Sequence, residues 1–259
     1  MKTIPFIKMH GLGNDYVYID CFPKAVAQYI TTTDLAELAR RVSDRHFGVG
    51  SDGLVLILPA EEADAEMRIF NADGSEAEMC GNAIRCVGKY LYESGLCRNT
   101  QQWIATRAGL RALTLQVTDA CVERVTVQMG APTIRPCTIV CGAETIPYTA
   151  VDIGNPHAVF FREKVGQLPD NTNVEFVRVR NTKELDVRVI ERGSGETLAC
   201  GTGACASVVA AIAQGLTERE VIVHLPGGDL MIQWPDNAGA VRMTGSATEV
   251  FRGEYRLEA

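Results

Sequence analysis

Residues 70–87 read FNADGSEAEMCGNAIRCV, and residues 190–207 read IERGSGETLACGTGACAS. Laid one over the other, Cys80 falls on Cys200, Gly81 on Gly201 and Glu76 on Glu196, each pair 120 residues apart. Further on, Gly95-Leu96 falls on Gly215-Leu216 at the same spacing. Each segment reads as a strand, a Gly-rich turn, a Cys-Gly pair and a helix, and a glycine just past the last helical turn is the expected stop. One shared dipeptide is an ordinary coincidence among turns. A cysteine, a glycine, a glutamate and a helix stop at one offset are not. A weaker echo links Gly13-Asn14 to Gly154-Asn155, each followed by an apolar strand. The chain reads as two related domains facing each other, and 259 residues are enough for both.

The surrounding sequence is rich in strands. Thr3–Met9, Tyr16–Asp20, Leu54–Leu58, Met67–Phe70, Gln102–Thr106, Ala112–Val117 and Val122–Gln128 carry β-branched, aromatic or alternating residues. So do Ala158–Phe161, Val174–Val179, Asp186–Ile190, Glu220–Leu225 and Leu230–Trp234. Three helices are expected. One runs from Asp34 to about Arg45, with Asp34 and Glu37 in capping-box spacing and Leu35, Leu38, Ala39 and Val42 on one face. The others run from Asn82 to Ser94 and from Gly203 to Gln214. Many strands and few helices favour an α+β architecture, with sheets wrapped around a helix, over a regular βαβ alternation.

A cysteine placed just before a helix sits in the positive end of the helix dipole, which favours its thiolate. The residues that follow present backbone N–H groups suited to an anion. Gly81 and Asn82, with Gly201 and Thr202, would supply those donors. Two such turns facing across a cleft would hold one carboxylate and set a thiol on either side of the neighbouring carbon. That arrangement suits inversion of a stereocentre bearing a hydrogen, which needs a base on one face and an acid on the other. The α-proton of an amino acid is far less acidic than a thiol, so aligned N–H donors and a dry site are required.

The remaining cysteines read as packing residues. Cys86 lies about 240° around the helix from Cys80, and Cys205 about 140° from Cys200. Cys21, Cys97, Cys121, Cys137 and Cys141 fall in strands or connectors. Cys137 and Cys141 lack a second pair, so no metal site is expected. Gly48-Val49-Gly50-Ser51-Asp52-Gly53 matches a dinucleotide fingerprint by letter, but a helix precedes it and a strand follows, the reverse of the required order. Among four histidines, His157 after Gly154-Asn155-Pro156 is the best functional candidate; His10 sits in a Gly-rich turn, and His46 and His224 read as helix-end and strand residues.

A net charge of −7 argues against nucleic acid or an anionic membrane as partner. The N-terminal stretch lacks an apolar signal region, and the longest apolar runs, Leu54–Ala60 and Val208–Ala213, fall far short of the ~20 residues that span a bilayer. Nine cysteines are too sparse for a disulfide scaffold and cannot all pair within the chain, which points to reduced thiols and a cytoplasmic setting.

Several motifs carry a resemblance. KMHGLGND at 8–15, the segment 70–86, GNPH at 154–157, TNVEF at 172–176, ERGSGETLACGTGAC at 191–205 and LPGG at 225–228 resemble the diaminopimelate epimerase family nearly end to end. The resemblance implies a pyridoxal-phosphate-independent enzyme that needs no cofactor and acts on a small-molecule amino-acid substrate. It implies two pseudosymmetric domains, each a mixed, mostly antiparallel sheet wrapped as a barrel around a central helix, with the last strand returning to the first domain. The expected boundaries are 1–128 with 247–259, and 129–246. Cys80 and Cys200 would be the acid/base thiols, tuned by His157 and Glu191. Gly81, Asn82, Gly201 and Thr202 would hold the α-carboxylate. Asn14, Asn71, Asn155, Asn173, Glu191 and Arg192 would recognise the substrate's amino and carboxylate groups. A homodimer is also implied.

Two positions depart from the family. Gly53 stands where some members carry a substrate-contacting glutamine, and Phe251 where some carry a tyrosine linked to dimerisation. Relatives of this fold racemise other amino acids, histidine among them, so a monoamino acid racemase is the alternative. A thiol redox sensor, with Cys80 and Cys200 forming a reversible disulfide, is the reading from another class; sensor cysteines are expected to be exposed.

Overall fold

A computed structural model describes residues 3–257. They divide into two compact units. Unit one runs through Val127 and resumes at Ser246; unit two is Gln128–Gly245. In chain order the elements begin with β1 (Thr3–Gly11), β2 (Asn14–Asp20), α1 (Lys24–Thr31), α2 (Leu35–Ser43), β3 (Gly53–Leu58), β4 (Ala65–Asn71) and β5 (Glu76–Ala77). Then come α3 (Gly81–Ser94), β6 (Gln101–Ala105), β7 (Arg111–Thr118), β8 (Cys121–Gly130), β9 (Thr133–Cys141), β10 (Glu144–Asp152) and β11 (Pro156–Phe160). The chain continues with β12 (Asn173–Asn181), β13 (Glu184–Glu191), β14 (Gly195–Thr197), α4 (Gly201–Ala213), β15 (Glu220–Leu225), β16 (Gly228–Gln233), β17 (Val241–Gly245) and β18 (Thr248–Arg256).

The same topology is built twice. In unit one β1 and β2 pair antiparallel, β2 and β3 parallel, β3 and β4 antiparallel, β4 and β6 parallel, and β6, β7 and β8 antiparallel in turn. In unit two β10 and β11 pair antiparallel, β11 and β12 parallel, β12 and β13 antiparallel, β13 and β15 parallel, and β15, β16 and β17 antiparallel in turn. β5 and β14 each add a short antiparallel pairing just before the Cys-Gly turn. The outermost strand differs in origin: β18 flanks β1, whereas β9 flanks β10. The parallel pairings follow because a helix or a long connection separates their strands.

Each sheet encloses one helix. α3 packs against β1, β2, β6 and β7, and α4 against β10, β11, β12, β13, β15, β16 and β17. Residues 81–88 of α3 are all buried, and α4 buries ten of its positions from Gly201 to Ala211. A helix apolar on every side belongs in a core rather than on a surface. α4 achieves this with small residues, Gly203, Ala204, Cys205, Ala206 and Ser207, which let the strands close in. Gly95 and Gly215 adopt positive φ just past the two helices, the backbone state glycine enters without strain.

Three sequence expectations change. α1 was not anticipated: it follows Pro23, has no side-chain cap and buries only Val26 and Ile30. Its two turns carry too short a pattern to read. The β9–β10 hairpin was also missed, because Pro136 and Pro147 lie within it and proline argues against a strand. His10 lies on β1 rather than in a turn, and its Nδ1 accepts the Gly13 N–H at 3.2 Å. In contrast, Asp34 caps α2 as expected, accepting from the Glu37 N–H at 3.1 Å. No helix among the described residues is long and apolar enough to cross a membrane.

Gly53 is a fixed point of unit one. A Cβ there would lie 2.1 Å from the Phe70 carbonyl oxygen and 2.8 Å from Tyr16 Cε1. A larger side chain could not be seated at this position without moving β3 from β4. Gly53→Ala is expected to destabilise the protein by about 1–3 kcal/mol, the cost of overpacking a tight interior. Urea unfolding followed by circular dichroism checks this, and an unchanged midpoint would contradict it.

Candidate active site

Cys80 and Cys200 occupy the same structural position, the N-cap of a buried central helix. Both have extended backbones, with φ −136° and −120°. The Ile84 N–H reaches the Cys80 carbonyl at 3.0 Å, and the Ala204 N–H reaches the Cys200 carbonyl at 3.0 Å. The earlier N–H groups of each helix project from its end, where an anion can meet them.

Around Cys80 the neighbours come from β2 and from the loop before β3. The thiol donates to Asn14 Oδ1 at 3.5 Å. Asn14 Nδ2 in turn donates to Asp52 Oδ2 at 2.9 Å, and the Asp15 N–H reaches the same oxygen at 3.1 Å. A carboxylate accepts only, so Asp52 fixes which end of the Asn14 amide faces the sulfur. Asp52 is held by Arg45, which bridges it to Asp15 at 2.9 Å on both sides. Lys8 also pairs with Asp15 and donates to the Gly50 carbonyl. Burial alone would push the Asp15 carboxyl up, but Lys8 and Arg45 together hold it below its ordinary range. Tyr16 lies behind the sulfur; burial pushes its phenol well up, with Cys80 and Asp52 adding to the shift.

The 48–53 segment, set aside in the sequence as a false phosphate loop, has its N–H groups committed elsewhere. Those of Val49 and Gly50 reach the Val42 carbonyl at 2.9 and 3.0 Å, and that of Ser51 reaches the Ser43 carbonyl at 3.0 Å. The loop therefore closes the end of α2 and carries Asp52 to Asn14. Its contribution to the site was missed in the sequence, although Asp52 stands in the motif itself.

Around Cys200 the surroundings are drier. The Gly203 N–H donates to the sulfur at 3.4 Å, and the Thr202 hydroxyl lies 3.4 Å from it. Asn155 Nδ2 donates to Thr202 Oγ1 at 3.4 Å. The Asn155 amide is 2.9 Å from His157 Nε2, and His157 Nδ1 is 2.6 Å from Glu175 Oε1. Asn173, next to His157 across the β11–β12 pairing, accepts the Arg192 N–H at 2.9 Å. Glu191 accepts from the Thr197 hydroxyl at 2.5 Å. The Arg192 residue is exposed at the turn.

The helix end does not set the Cys200 ionisation. Burial pushes this thiol well up; the Glu191 and Glu175 carboxylates add to the shift, and Thr202 and the Gly203 N–H offset it only in part. The dipole still favours a thiolate here, but its contribution of about 0.3–1 kcal/mol is small beside the desolvation of a buried charge.

Of the other residues singled out in the sequence, Gly81, Asn82 and Gly201 are buried in the first turns of α3 and α4. Asn71 ends β4, where its side chain donates to Ser75 Oγ at 2.9 Å within the turn. Cys86 and Cys205 are fully buried within their helices. Glu175 was missed as a site residue, although an acidic residue inside the apolar run Val174–Val177 is itself a signal. Among the described residues no group of His, Cys, Asp or Glu is arranged to hold a metal ion.

Comparison with known proteins decides the family. The diaminopimelate epimerase family profile matches residues 6–135 and 160–250. The chain belongs to the diaminopimelate epimerase family. It is 48% identical to diaminopimelate epimerase of Acetivibrio thermocellus, over 97% of this chain and 98% of that protein. It is 47% identical to that of Methanococcus maripaludis strain C6, over 97% and 99%. In fold it is similar to a hydroxyproline epimerase from Agrobacterium vitis, with a TM-score of 0.74 at 17% identity, covering 100% of this chain and 95% of that one. A probable proline racemase from Agrobacterium radiobacter K84 gives 0.75 at 18% identity, covering 98% and 93%.

The burial of Cys200 carries a prediction for the substrate-free enzyme. Iodoacetamide labelling, resolved by peptide mass spectrometry across pH, should modify the exposed Cys121 at neutral pH and Cys200 only well above the ordinary thiol range. Equal labelling of the two at pH 7 would contradict the assignment.

Proposed function

We propose that the protein interconverts LL- and meso-diaminopimelate by moving the α-proton between Cys80 and Cys200. The observation that carries the reading is the twofold use of one device: a cysteine at the N-cap of a buried helix, with an asparagine amide beside the turn, on a frame whose close relatives carry this activity. The reaction requires both thiols to reach the α-carbon of one substrate molecule.

The chemistry balances without a cofactor. The thiolate on one face takes the α-proton, and its electron pair stays on the carbon as a carbanion conjugated with the carboxylate. The thiol on the other face delivers its proton to that carbon, leaving a thiolate. The carbon is inverted and the two sulfurs have exchanged protonation states. N–H groups of Gly81, Asn82, Gly201 and Thr202 stabilise the charge gathering on the carboxylate, an effect that strengthens where water is excluded. Asn14 and Asn155, with Asn71 and Glu191, supply oxygens for the α-ammonium. Asn173 and Arg192, tied to each other at the second turn, address the distal end, which distinguishes a diamino diacid from a monoamino acid. His157 and Glu191 tune the Cys200 side.

The same proposal places the enzyme in the cytoplasm, in lysine and peptidoglycan precursor synthesis, as a homodimer. All nine cysteines are free, in keeping with a reducing compartment. β18 leaves Val250 and Phe251 exposed, while the Phe251 ring sits edge-on to Phe6 at 5.8 Å. Phe251 can therefore fill an apolar contact with a second copy, without a tyrosine's hydroxyl.

Purified enzyme given LL-diaminopimelate in D2O under reducing conditions should yield the meso form carrying deuterium at the inverted α-carbon. Cys80→Ala and Cys200→Ala should each lower kcat by about a thousandfold or more, as loss of a catalytic acid or base does. Chiral chromatography with mass detection reads both outcomes, with a panel of L-amino acids run in parallel. Full activity in either variant would sink the two-thiol mechanism, and turnover confined to a monoamino acid would replace the substrate.

A further inference from the structure

Behind the Cys200 turn lies a carboxylate that the proton transfer itself does not use. The Glu175 and His157 side chains are both fully inaccessible to solvent, and Glu175 Oε2 has no hydrogen-bond partner. Glu175 stands opposite Val159 in the parallel β11–β12 register, one pleat from His157, so its carboxylate reaches Nδ1 diagonally on the same face. Space for it is made by Gly203: a Cβ there would lie 2.8 Å from Glu175 Oε1.

The fold does not require a carboxylate at this position. The repeat supplies the comparison, because Val55 precedes Glu175 by the 120 residues that separate Cys80 from Cys200. In β2–β3, Tyr16 pairs with Gly53 and Tyr18 with Val55; in β11–β12, His157 pairs with Asn173 and Val159 with Glu175. His157 thus answers to Tyr16, and Glu175 to Val55. Val55 is fully buried and packs as an ordinary core residue. The same strand position is met by a valine in one half and by a costly buried acid in the other.

We propose that Glu175 is the positioning residue of the Cys200 half, anchoring His157 through Nδ1 so that Nε2 addresses the Asn155 amide and, through it, the Thr202 hydroxyl beside the sulfur. The chain of contacts is continuous: 2.6 Å from Glu175 to His157, 2.9 Å to Asn155, 3.4 Å to Thr202 and 3.4 Å to Cys200. Both ring nitrogens face acceptors, so both donate: Nδ1–H to the Glu175 carboxylate and Nε2–H to the Asn155 amide oxygen. The carboxylate thereby fixes the ring plane, as a buried acid does for a neighbouring histidine in other proton-transfer sites. The charged and titratable groups facing Glu175 are His157 on β11, Glu191 beyond the end of the β12–β13 pairing, and Cys200 at the start of α4. Burial pushes the Glu175 carboxyl up, His157 draws it back, and Glu191 adds to the rise.

The assignment rests on the epimerase reading, and the test separates the two. Glu175→Gln keeps an acceptor of the same shape without the charge; Glu175→Val installs the residue that the other half uses. Both are compared with wild type by circular dichroism and thermal unfolding, by kcat and KM in each direction, by pH profile, and by 15N NMR of the labelled His157 ring. Glu175→Gln is expected to fold, to leave KM nearly unchanged and to lower kcat by about 10- to 100-fold. Where Cys200 is the base, the limb of kcat/KM set by its ionisation should move to lower pH, because a charge opposing the thiolate is gone. The ring 15N shifts should report N–H at both ring nitrogens in wild type and loss of the Nδ1 proton in Glu175→Val. If Glu175→Val does not fold, Glu175→Gln decides. Folded variants with wild-type kcat, pH profile and ring shifts would overturn the proposal. If wild type fails to turn over diaminopimelate, the epimerase reading fails, while the ring shifts still decide whether Glu175 anchors His157.

Discussion

A helix buried on every side begins inside the protein, and the N–H groups of its first turn must be met there. That constraint organises both halves of this chain. The sheets close around α3 and α4, the helices start at a Gly-rich turn, and the residue at the N-cap is held extended at the helix mouth. Serine, threonine or aspartate would cap such a helix better than cysteine. Cys80 makes no side-chain cap bond, and Cys200 accepts only a long one from Gly203. Stability does not explain the thiols. Their placement makes sense as chemistry placed where backbone N–H groups already converge.

The halves share a frame and differ in what stands behind each sulfur. On the Cys80 side the second layer is wet and charged: Asp52, Asp15, Arg45 and Lys8 form a partly exposed network that ends on the Asn14 amide. On the Cys200 side it is dry, and a single buried pair, His157 and Glu175, takes that place. In both, an asparagine following a glycine stands beside the Cys-Gly turn, held by the Asp52 carboxylate in one half and by the His157 ring in the other. The asparagine echo at 14 and 155 is therefore a structural symmetry beside the two cysteines, while the groups orienting it differ. Two thiols with unequal surroundings suit a reaction that needs one sulfur as acid and the other as base at any moment.

Much of this was legible in the sequence because a repeat records its own alignment. The offset shared by Cys80 and Cys200 located both central helices and both turns. Strand-to-strand partners were harder, since pairing is set by topology rather than by local pattern. The β9–β10 hairpin is the clearest case: its prolines argue against a strand locally, yet nine residues of each strand pair across it. Asp52 was hidden for a different reason. The 48–53 segment resembles a nucleotide fingerprint by letter, and its work in the fold, closing α2 and orienting Asn14, depends on tertiary contacts that no local pattern records. Glu175 lies within the TNVEF stretch at 172–176, but only the burial of its strand makes the acid conspicuous.

The ionisation of Cys200 shows why local rules need the whole environment. A helix terminus favours a thiolate, and the sequence alone supplies that argument. The same terminus lies within a buried site, and desolvation acts on the full charge while the dipole acts on a fraction of one. For the proposed reaction the outcome is useful. The obstacle to removing an α-proton is the gap between the carbon acid and the sulfur that must accept its proton. A thiolate of raised pKa is a stronger base, so the gap narrows. A site that excludes water also strengthens the N–H contacts that stabilise the carbanion. Burial thus favours the protonated Cys200 thiol, and in the proposed reaction the thiolate left after it donates is the stronger base for taking the proton back.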